Sequence, residues 1–297
     1  MCPTRSTSTR VTEHVAEYAS VHTRNVQLGD VELAVAEAGE GGRPLLLLHG
    51  FAGAKEDFTD WLEALAALGW HAVVPDHRGH GESSKPTDVA AYSLSILAAD
   101  SVALVDALGW GRFALLGHSM GGFVAQITAC THPSRLLGLI LMDTGHGPVH
   151  GIDPEYFKRA VSVATGQGMG ALADLMAEVD SPLDTPAHRR LVDDRPDYAQ
   201  FQSRKLRATS PFLYSAIGHE LLTYSDSLQA LTAMNPPPTT LVLVGEQDPA
   251  FLESSHRMAE ALPRATLAVV PDAGHSPQFE NPGGWWKAVS SFLATIG

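Results

Sequence analysis

Residues 113–122 read FALLGHSMGG, and this stretch sets the expected architecture of the chain. The apolar residues before its first glycine predict a buried strand, and the residues from 121 to 131 predict a helix. Between them lies a G-x-S-x-G pattern centred on Ser119. A tight turn from strand to helix strains the backbone of its central residue, and flanking glycines avoid clashes there. The pattern therefore predicts a sharp turn that presents the Ser119 hydroxyl at the end of a strand.

The segments on either side of this turn alternate between predicted strands and helices. After a β-hairpin expected within 26–35, strands are predicted at 45–48, 71–74, 113–116, 136–142, 240–244 and 266–270. Helices are predicted at 56–68, 93–108, 121–131, 252–262 and 284–295. Repeated βα units of this kind predict an α/β protein with a mostly parallel central sheet of about eight strands and helices on both faces.

The alternation breaks near Asp143, and no convincing strand follows before residue 236. Three helix starts instead carry proline just inside a capping residue, namely Asp153-Pro154, Thr185-Pro186 and Ser210-Pro211. We therefore predict a helical cap inserted into one α/β core, and a polar leader that is poorly ordered. The predicted boundaries are 1–24 for the leader, 25–144 and 236–297 for the core, and 145–235 for the cap.

Composition excludes several classes of partner. The 297 residues carry a formal charge of −13, which argues against nucleic acid and anionic membranes as partners. No apolar run approaches the roughly 18 residues that a membrane-spanning helix needs, and residues 1–10 lack the apolar segment of a secretion signal. Only Cys2 and Cys130 are present, so we expect no disulfide framework and a cytoplasmic location. No dinucleotide or phosphate-binding fingerprint occurs, so no organic cofactor is expected.

A serine hydroxyl becomes a nucleophile only beside a general base, usually an imidazole held by a carboxylate. Two later loops offer these groups. Residues 245–249 read GEQDP after one predicted strand, and His275 follows the last one. Because the carboxyl ends of parallel strands meet at one edge of a sheet, both loops should lie near Ser119. Three carboxylates compete for the acid position, namely Asp248, Glu246 in the same loop and Asp143 at the end of the preceding strand.

Five segments together resemble the α/β-hydrolase superfamily over about residues 25–297. They are His49-Gly50-Phe51, Asp76 to Ser83, Gly117 to Gly121, Gly245 to Pro249, and Gly274-His275. The resemblance implies the α/β-hydrolase fold, with Ser119 as nucleophile, His275 as base and Asp248 as acid. It also implies an oxyanion hole formed by the backbone N–H groups of Phe51 and Met120.

The resemblance implies a hydrolase that cleaves a carboxylic ester or a lactone through an acyl-enzyme intermediate. Family members that open epoxides or displace halide use Asp at the position of Ser119. Carbon-carbon bond hydrolases share the Ser-Met-Gly-Gly run but typically carry Trp after the base, where this chain has Ser276. A carbon-carbon bond hydrolase, a cofactor-free perhydrolase or haloperoxidase, and a small-molecule receptor with slow hydrolysis remain alternatives.

Other candidate groups are expected to be structural. His146 and His150 have the spacing of metal ligands on a helix, but Gly147-Pro148 argues against a helix, and no metal site is predicted. Asp76 and Arg78 are expected to brace the loops around the site.

Aromatic and Met side chains of the cap could line an acyl pocket or pack within the cap: Tyr156, Phe157, Met169, Met176, Phe201, Phe212 and Tyr214.

Overall fold

An eight-stranded, mostly parallel sheet forms the centre of the protein, in a computed structural model that describes residues 20–178 and 185–296. Its strands are β1 (His22–Leu28), β2 (Val31–Ala38), β3 (Arg43–Leu48), β4 (Trp70–Pro75), β5 (Phe113–His118), β6 (Leu136–Met142), β7 (Thr240–Gly245) and β8 (Ala265–Val270). They lie in the order β1-β2-β4-β3-β5-β6-β7-β8. Strand β2 pairs antiparallel with β1 and β4, and the remaining neighbours pair parallel.

Helices surround this sheet. Those before the end of β6 are α1 (Leu62–Ala67), α2 (Leu94–Ala107) and α3 (Met120–Thr131), and those after β7 are α10 (Leu252–Ala261), α11 (Pro277–Glu280) and α12 (Pro282–Thr295). Those between β6 and β7 are α4 (Pro154–Gln167), α5 (Met169–Ala177), α6 (Pro186–Asp194), α7 (Tyr198–Arg207), α8 (Pro211–Leu222) and α9 (Leu228–Thr232). No helix among the described residues has the length and apolar character needed to cross a membrane.

Alternate residues of β3 show why the sheet is covered on both faces. Leu46 and Leu48 belong to a hydrophobic cluster that includes residues of α2 and α3. Leu45 and Leu47 belong to a second cluster that includes residues of α1 and α12. All four leucines are fully buried, as a strand in the middle of a parallel sheet requires. The α/β fold class predicted from the sequence is confirmed.

Strand β1 begins three residues before the predicted start of the core. Residues 22–24, which the sequence assigned to the leader, pair with β2, and the Arg24 guanidinium donates to Glu37 at 2.5 Å. The strand is at the edge of the sheet and mostly exposed, so its polar sequence does not prevent pairing. Residues 1–19 of the predicted leader lie outside the described residues.

The helix predicted over 56–68 is wrong in its first half. Two 3₁₀ turns, Lys55–Asp57 and Thr59–Trp61, precede the short helix α1. Lys55 explains the irregular start, because its backbone N–H and its ammonium both donate to the buried Asp76 carboxylate, at 2.7 and 3.0 Å. These long-range contacts override the helical pattern.

The segment predicted as the cap, 145–235, contains helices and no strand within its described residues. Each of the three predicted helix starts is present. Asp153, Thr185 and Ser210 precede α4, α6 and α8, and each side chain accepts a hydrogen bond from a backbone N–H of the first turn. Proline follows as the first helical residue in all three, where its missing N–H costs nothing.

Candidate active site

Ser119 lies on the tight turn between β5 and α3. Its φ of 54° and ψ of −118° are unfavourable for a residue with a side chain. A Cβ atom added to Gly117 would lie 2.2 Å from the Gly121 carbonyl oxygen, and one added to Gly121 would lie 2.4 Å from the Leu48 carbonyl oxygen. The turn therefore needs glycine on both sides of Ser119, and this steric requirement explains the G-x-S-x-G pattern.

Three residues predicted for the site lie in one hydrogen-bonded line. Asp248 follows β7 and His275 follows β8, so both come from the carboxyl ends of parallel strands, as does Ser119. His275 Nε2 lies 3.0 Å from the Ser119 hydroxyl, and Nδ1 lies 2.8 Å from Asp248 Oδ2. When the imidazole carries its proton on Nδ1, the serine hydroxyl donates to Nε2 and Nδ1–H donates to the Asp248 carboxylate. This arrangement can remove a proton from Ser119.

The Asp248 carboxylate is buried yet suited to remain charged. Burial pushes its pKa upward, but the charge of His275 and the hydrogen bond from its Nδ1–H hold the pKa below its ordinary value. The backbone N–H of Ala250 also donates to its second oxygen at 3.2 Å. A carboxylate in this position can stabilise an imidazolium on the neighbouring ring.

The two competing carboxylates occupy different positions. Glu246 is exposed and accepts a hydrogen bond from the backbone N–H of Asp272, away from the imidazole. Asp143 is fully buried beside Asp248, where burial and then the charge of Asp248 raise its pKa well above the ordinary value. The structure therefore places Asp248, and neither alternative, in contact with Nδ1 of His275.

Sequence reasoning missed three residues that contact His275 or the backbone of its loop. His118 Nε2–H donates to the His275 carbonyl at 2.8 Å, and the Phe251 ring stacks on the imidazole at 5.4 Å. Glu280 accepts from the backbone N–H groups of Gly274 and Ser276 at 2.6 and 3.2 Å. His118 lies inside the motif around Ser119, but its partner is distant in sequence, so no local pattern could have assigned its contact.

A cavity of about 800 Å³ opens over Ser119 and His275. Phe51 and Met120, the predicted oxyanion-hole residues, also line it. Four of the seven cap residues proposed for an acyl pocket lie in its wall: Tyr156, Phe157, Met176 and Tyr214. The other three are elsewhere, since Met169 packs within the cap, Phe201 packs against Phe279, and Phe212 is exposed.

One side of this cavity is polar. Lys205 of α7 forms an ion pair with Asp57 of the core, and both side chains are largely buried and line the cavity. The Lys205 ammonium also lies 4.2 Å from the centre of the Phe201 ring. The ion pair joins the helices between β6 and β7 to the core at the wall of the site.

Lys205→Met is expected to lower the free energy of unfolding by about 3 kcal/mol, because it leaves the buried Asp57 carboxylate without its cation. Adding Asp57→Asn should recover part of this loss. Urea unfolding of the single and double variants measures both effects. Lys158→Met, at an exposed lysine of α4, is the matched control and should change stability by less than about 0.5 kcal/mol. Equal losses in the two lysine variants would contradict the prediction.

Four histidines are buried behind the site. The ring of His49 lies 4.6 Å from that of His77 and 4.8 Å from that of His80, while His118 contacts the backbone of His275. Burial lowers the pKa of His77 and His118 to about 3, with further lowering by the charges of neighbouring histidines. The pKa values of His49 and His80 also lie well below 6.5, mainly because of burial. All four are therefore neutral in the folded protein near pH 7.

This cluster predicts acid sensitivity. The unfolded chain takes up protons at these histidines near pH 6.5, whereas the folded protein does so only near pH 3 or below for His77 and His118. The free energy of unfolding should therefore fall below pH 6.5, by up to about 1.4 kcal/mol per pH unit for each histidine. Urea unfolding from pH 7 to pH 5 measures the slope. His77→Gln should reduce it and the exposed His256→Gln should not; a flat profile in the wild type would contradict the prediction.

The remaining candidates have structural partners. Asp76 binds Lys55, and Arg78 forms a two-point ion pair with Asp100 at 2.5 and 2.6 Å. His146 Nδ1 lies 3.0 Å from Asp226, and His150 lines the cavity. Within residues 20–178 and 185–296, the group of donor atoms close enough to share a metal ion is Asp143, Asp248 and His275, and the last two of these form the hydrogen-bonded line with Ser119.

Comparisons with known proteins find relatives that share this fold. A thermophilic esterase of Thermogutta terrifontis is 30% identical, with 93% of this chain and 99% of that chain covered and a TM-score of 0.78. An N-acyl homoserine lactone degrading enzyme is 27% identical, with 91% and 100% covered and a TM-score of 0.73. A Bacillus subtilis (strain 168) protein, provisionally named 2-succinyl-6-hydroxy-2,4-cyclohexadiene-1-carboxylate synthase, is 29% identical over 92% of this chain and 99% of its own length.

The family model described as alpha/beta hydrolase fold matches residues 43–282. The match spans well over half of the chain and includes the turn at Ser119 and the loops of Asp248 and His275. The resemblance inferred from the five sequence segments is thereby confirmed. The chain is a hydrolase that belongs to the alpha/beta hydrolase fold family.

Proposed function

We propose that this protein is a serine hydrolase that cleaves a carboxylic ester or a lactone. The observation that carries the proposal is the line of hydrogen bonds from Ser119 through His275 to Asp248, at 3.0 and 2.8 Å, on the wall of a cavity of about 800 Å³. A serine in this setting attacks a carbonyl carbon and forms an acyl-enzyme. Relatives named as an esterase and as a lactone-degrading enzyme support the same substrate class.

The reaction follows from the positions of the three side chains. Ser119 Oγ attacks the carbonyl carbon as its proton passes to His275 Nε2, while Asp248 stabilises the imidazolium. The backbone N–H groups of Phe51 and Met120 stabilise the negative charge that develops on the carbonyl oxygen. The leaving alkoxide takes the proton from Nε2; in a lactone it stays attached to the acyl group. Water then attacks the acyl-enzyme, with His275 again as base, and releases the acid.

The cavity suggests the kind of acyl group. Its volume of about 800 Å³ suits a small or medium-sized molecule. An aromatic group forms one wall, where Tyr214 of α8 contacts Phe51 at 5.0 Å and Phe157 of α4 at 5.8 Å between ring centres. This wall would hold an apolar acyl chain, and the helices between β6 and β7 would act as a lid that sets substrate size.

Acid release in a pH-stat tests the proposal. Esters of short and medium acyl chains and lactones of several ring sizes are compared, with the Ser119→Ala protein as the blank. Many turnovers that disappear in the blank would support a hydrolase, and the best substrate would decide between open ester and lactone. An absence of turnover on all of them would contradict the proposal and favour a receptor, a carbon-carbon bond hydrolase or a perhydrolase.

A further inference from the structure

Asp143 occupies an unusual position directly after β6. Its backbone φ of 44° is in the left-handed region that non-glycine residues rarely adopt, and its side chain has no exposed surface. Oδ1 accepts a hydrogen bond from the backbone N–H of Gly245 at 2.8 Å. Oδ2 is buried as well, and no N–H donor among the described residues reaches it. A buried carboxyl group on a strained backbone, with one oxygen that no N–H donor reaches, requires an explanation.

The neighbours of Asp143 identify where Oδ2 can bond. One carboxylate oxygen of Asp143, one carboxylate oxygen of Asp248 and one ring nitrogen of His275 lie within 4.8 Å of one another. Asp248 already accepts one hydrogen bond at each oxygen, from His275 Nδ1–H and from the backbone N–H of Ala250. A carboxylate can accept about four hydrogen bonds, so Asp248 has capacity for another donor. The nearby Glu280 adds a second negative charge to the surroundings of Asp143.

An ionised Asp143 would be a poor fit for this place. It would put a second buried anion beside Asp248, with Oδ2 lacking any compensating donor. Two carboxylates that share a site repel, and one of them then keeps its proton. A proton on Oδ2 removes both problems, because the O–H group donates to Asp248 and the buried oxygen gains a partner.

We propose that Asp143 is a positioning residue whose neutral carboxyl group donates a hydrogen bond to Asp248 and fixes the carboxylate that orients His275. The expected effect of Asp143 on the rate of hydrolysis rests on the proposed function. The location of the proton is independent of it. The direction of the Asp143 pKa agrees with the proposal, because burial and the charge of Asp248 raise this pKa well above its ordinary value.

The location of the proton is tested without a substrate, by unfolding in urea from pH 5 to pH 8. Folding keeps a proton on Asp143 that the unfolded chain has lost above about pH 4, so this stabilisation is present at low pH and is lost as pH rises. The unfolding constant of the wild type, divided by that of Asp143→Asn, should therefore rise about tenfold per pH unit until Asp143 ionises in the folded state. A ratio that stays constant from pH 5 to pH 8 would show an ionised Asp143 and overturn the proposal.

Activity then tests the positioning role. Asp143→Asn keeps an acceptor for Gly245 and an N–H donor for Asp248, so kcat should stay within about fivefold of the wild type. Asp143→Leu has neither group, and kcat should fall about 100-fold with KM within about twofold, since misplacing a catalytic group mainly slows the chemical step. Equal kcat in the two variants would overturn the positioning role.

The pH–rate profile separates the two charge states. A neutral Asp143 predicts that the acid limb of kcat/KM stays in place in Asp143→Asn. An ionised Asp143 would help hold a proton on the imidazole, so its replacement would move that limb to lower pH and overturn the proposal. If no ester or lactone is hydrolysed, the proposed function fails, while the unfolding ratio still decides where the proton lies.

Discussion

Ser119→Ala is expected to lower kcat for ester or lactone hydrolysis by about 10⁶-fold, close to the uncatalysed background. The size follows from the loss of the nucleophile, because the residues of a triad act as a unit and removing one abolishes covalent catalysis. The fold should survive, since the turn depends on the backbone of Ser119, whose N–H donates to the Met142 carbonyl at 2.9 Å. Steady-state rates on the best substrate of the pH-stat series measure the effect.

A buried serine away from the site provides the control for this variant. Ser101 lies in α2, and its hydroxyl donates to the Leu97 carbonyl at 2.9 Å, within its own helix. Ser101→Ala should keep kcat within about twofold of the wild type, because the hydroxyl it removes has no part in the site. If Ser119→Ala kept more than about 1% of the wild-type kcat while unfolding normally in urea, Ser119 would not be the nucleophile.

Asp248→Asn is expected to lower kcat by about 10⁴-fold. The asparagine amide can turn its NH₂ group toward Nδ1 of His275, which favours the tautomer protonated on Nε2, and that nitrogen can no longer accept the Ser119 proton. The variant also loses the negative charge that stabilises the imidazolium. Single-turnover acylation, followed by release of the alcohol, isolates the step at which both losses act.

The chain offers matched controls for Asp248→Asn. Asp226 forms a second Asp–His pair, at 3.0 Å from His146, and Asp226→Asn should leave kcat within about twofold. Glu246→Gln, in the same loop as Asp248, should have an equally small effect because Glu246 is exposed and bonds to the backbone of Asp272. If Glu246→Gln or Asp143→Asn proved more damaging than Asp248→Asn, the assignment of the acid would be wrong.

The features that the sequence predicted correctly depend on residues that lie close together in the chain. The turn around Ser119 needs glycine within two residues on each side, and the helix starts at Asp153, Thr185 and Ser210 need a capping oxygen next to proline. Apolar runs of strand length likewise predicted the central parallel strands. Predictions failed where a residue contacts a partner that is distant in sequence. The first turns of the helix predicted over 56–68 are not α-helical, because Lys55 binds Asp76.

Sequence by itself determined the α/β architecture, the nucleophile turn and the loops that could hold a base and an acid, because these depend on local backbone sterics and on the periodicity of apolar residues. The residues alone left three carboxylates open and the family resemblance favoured Asp248, but only the tertiary structure shows Asp248 in contact with His275, since Asp248 is 27 residues from His275 and the imidazole is 156 residues from Ser119. It alone placed Asp143 behind Asp248 and Lys205 in the cavity wall. Contacts across such separations arise from the packing of strands and helices, which no short pattern of residues encodes.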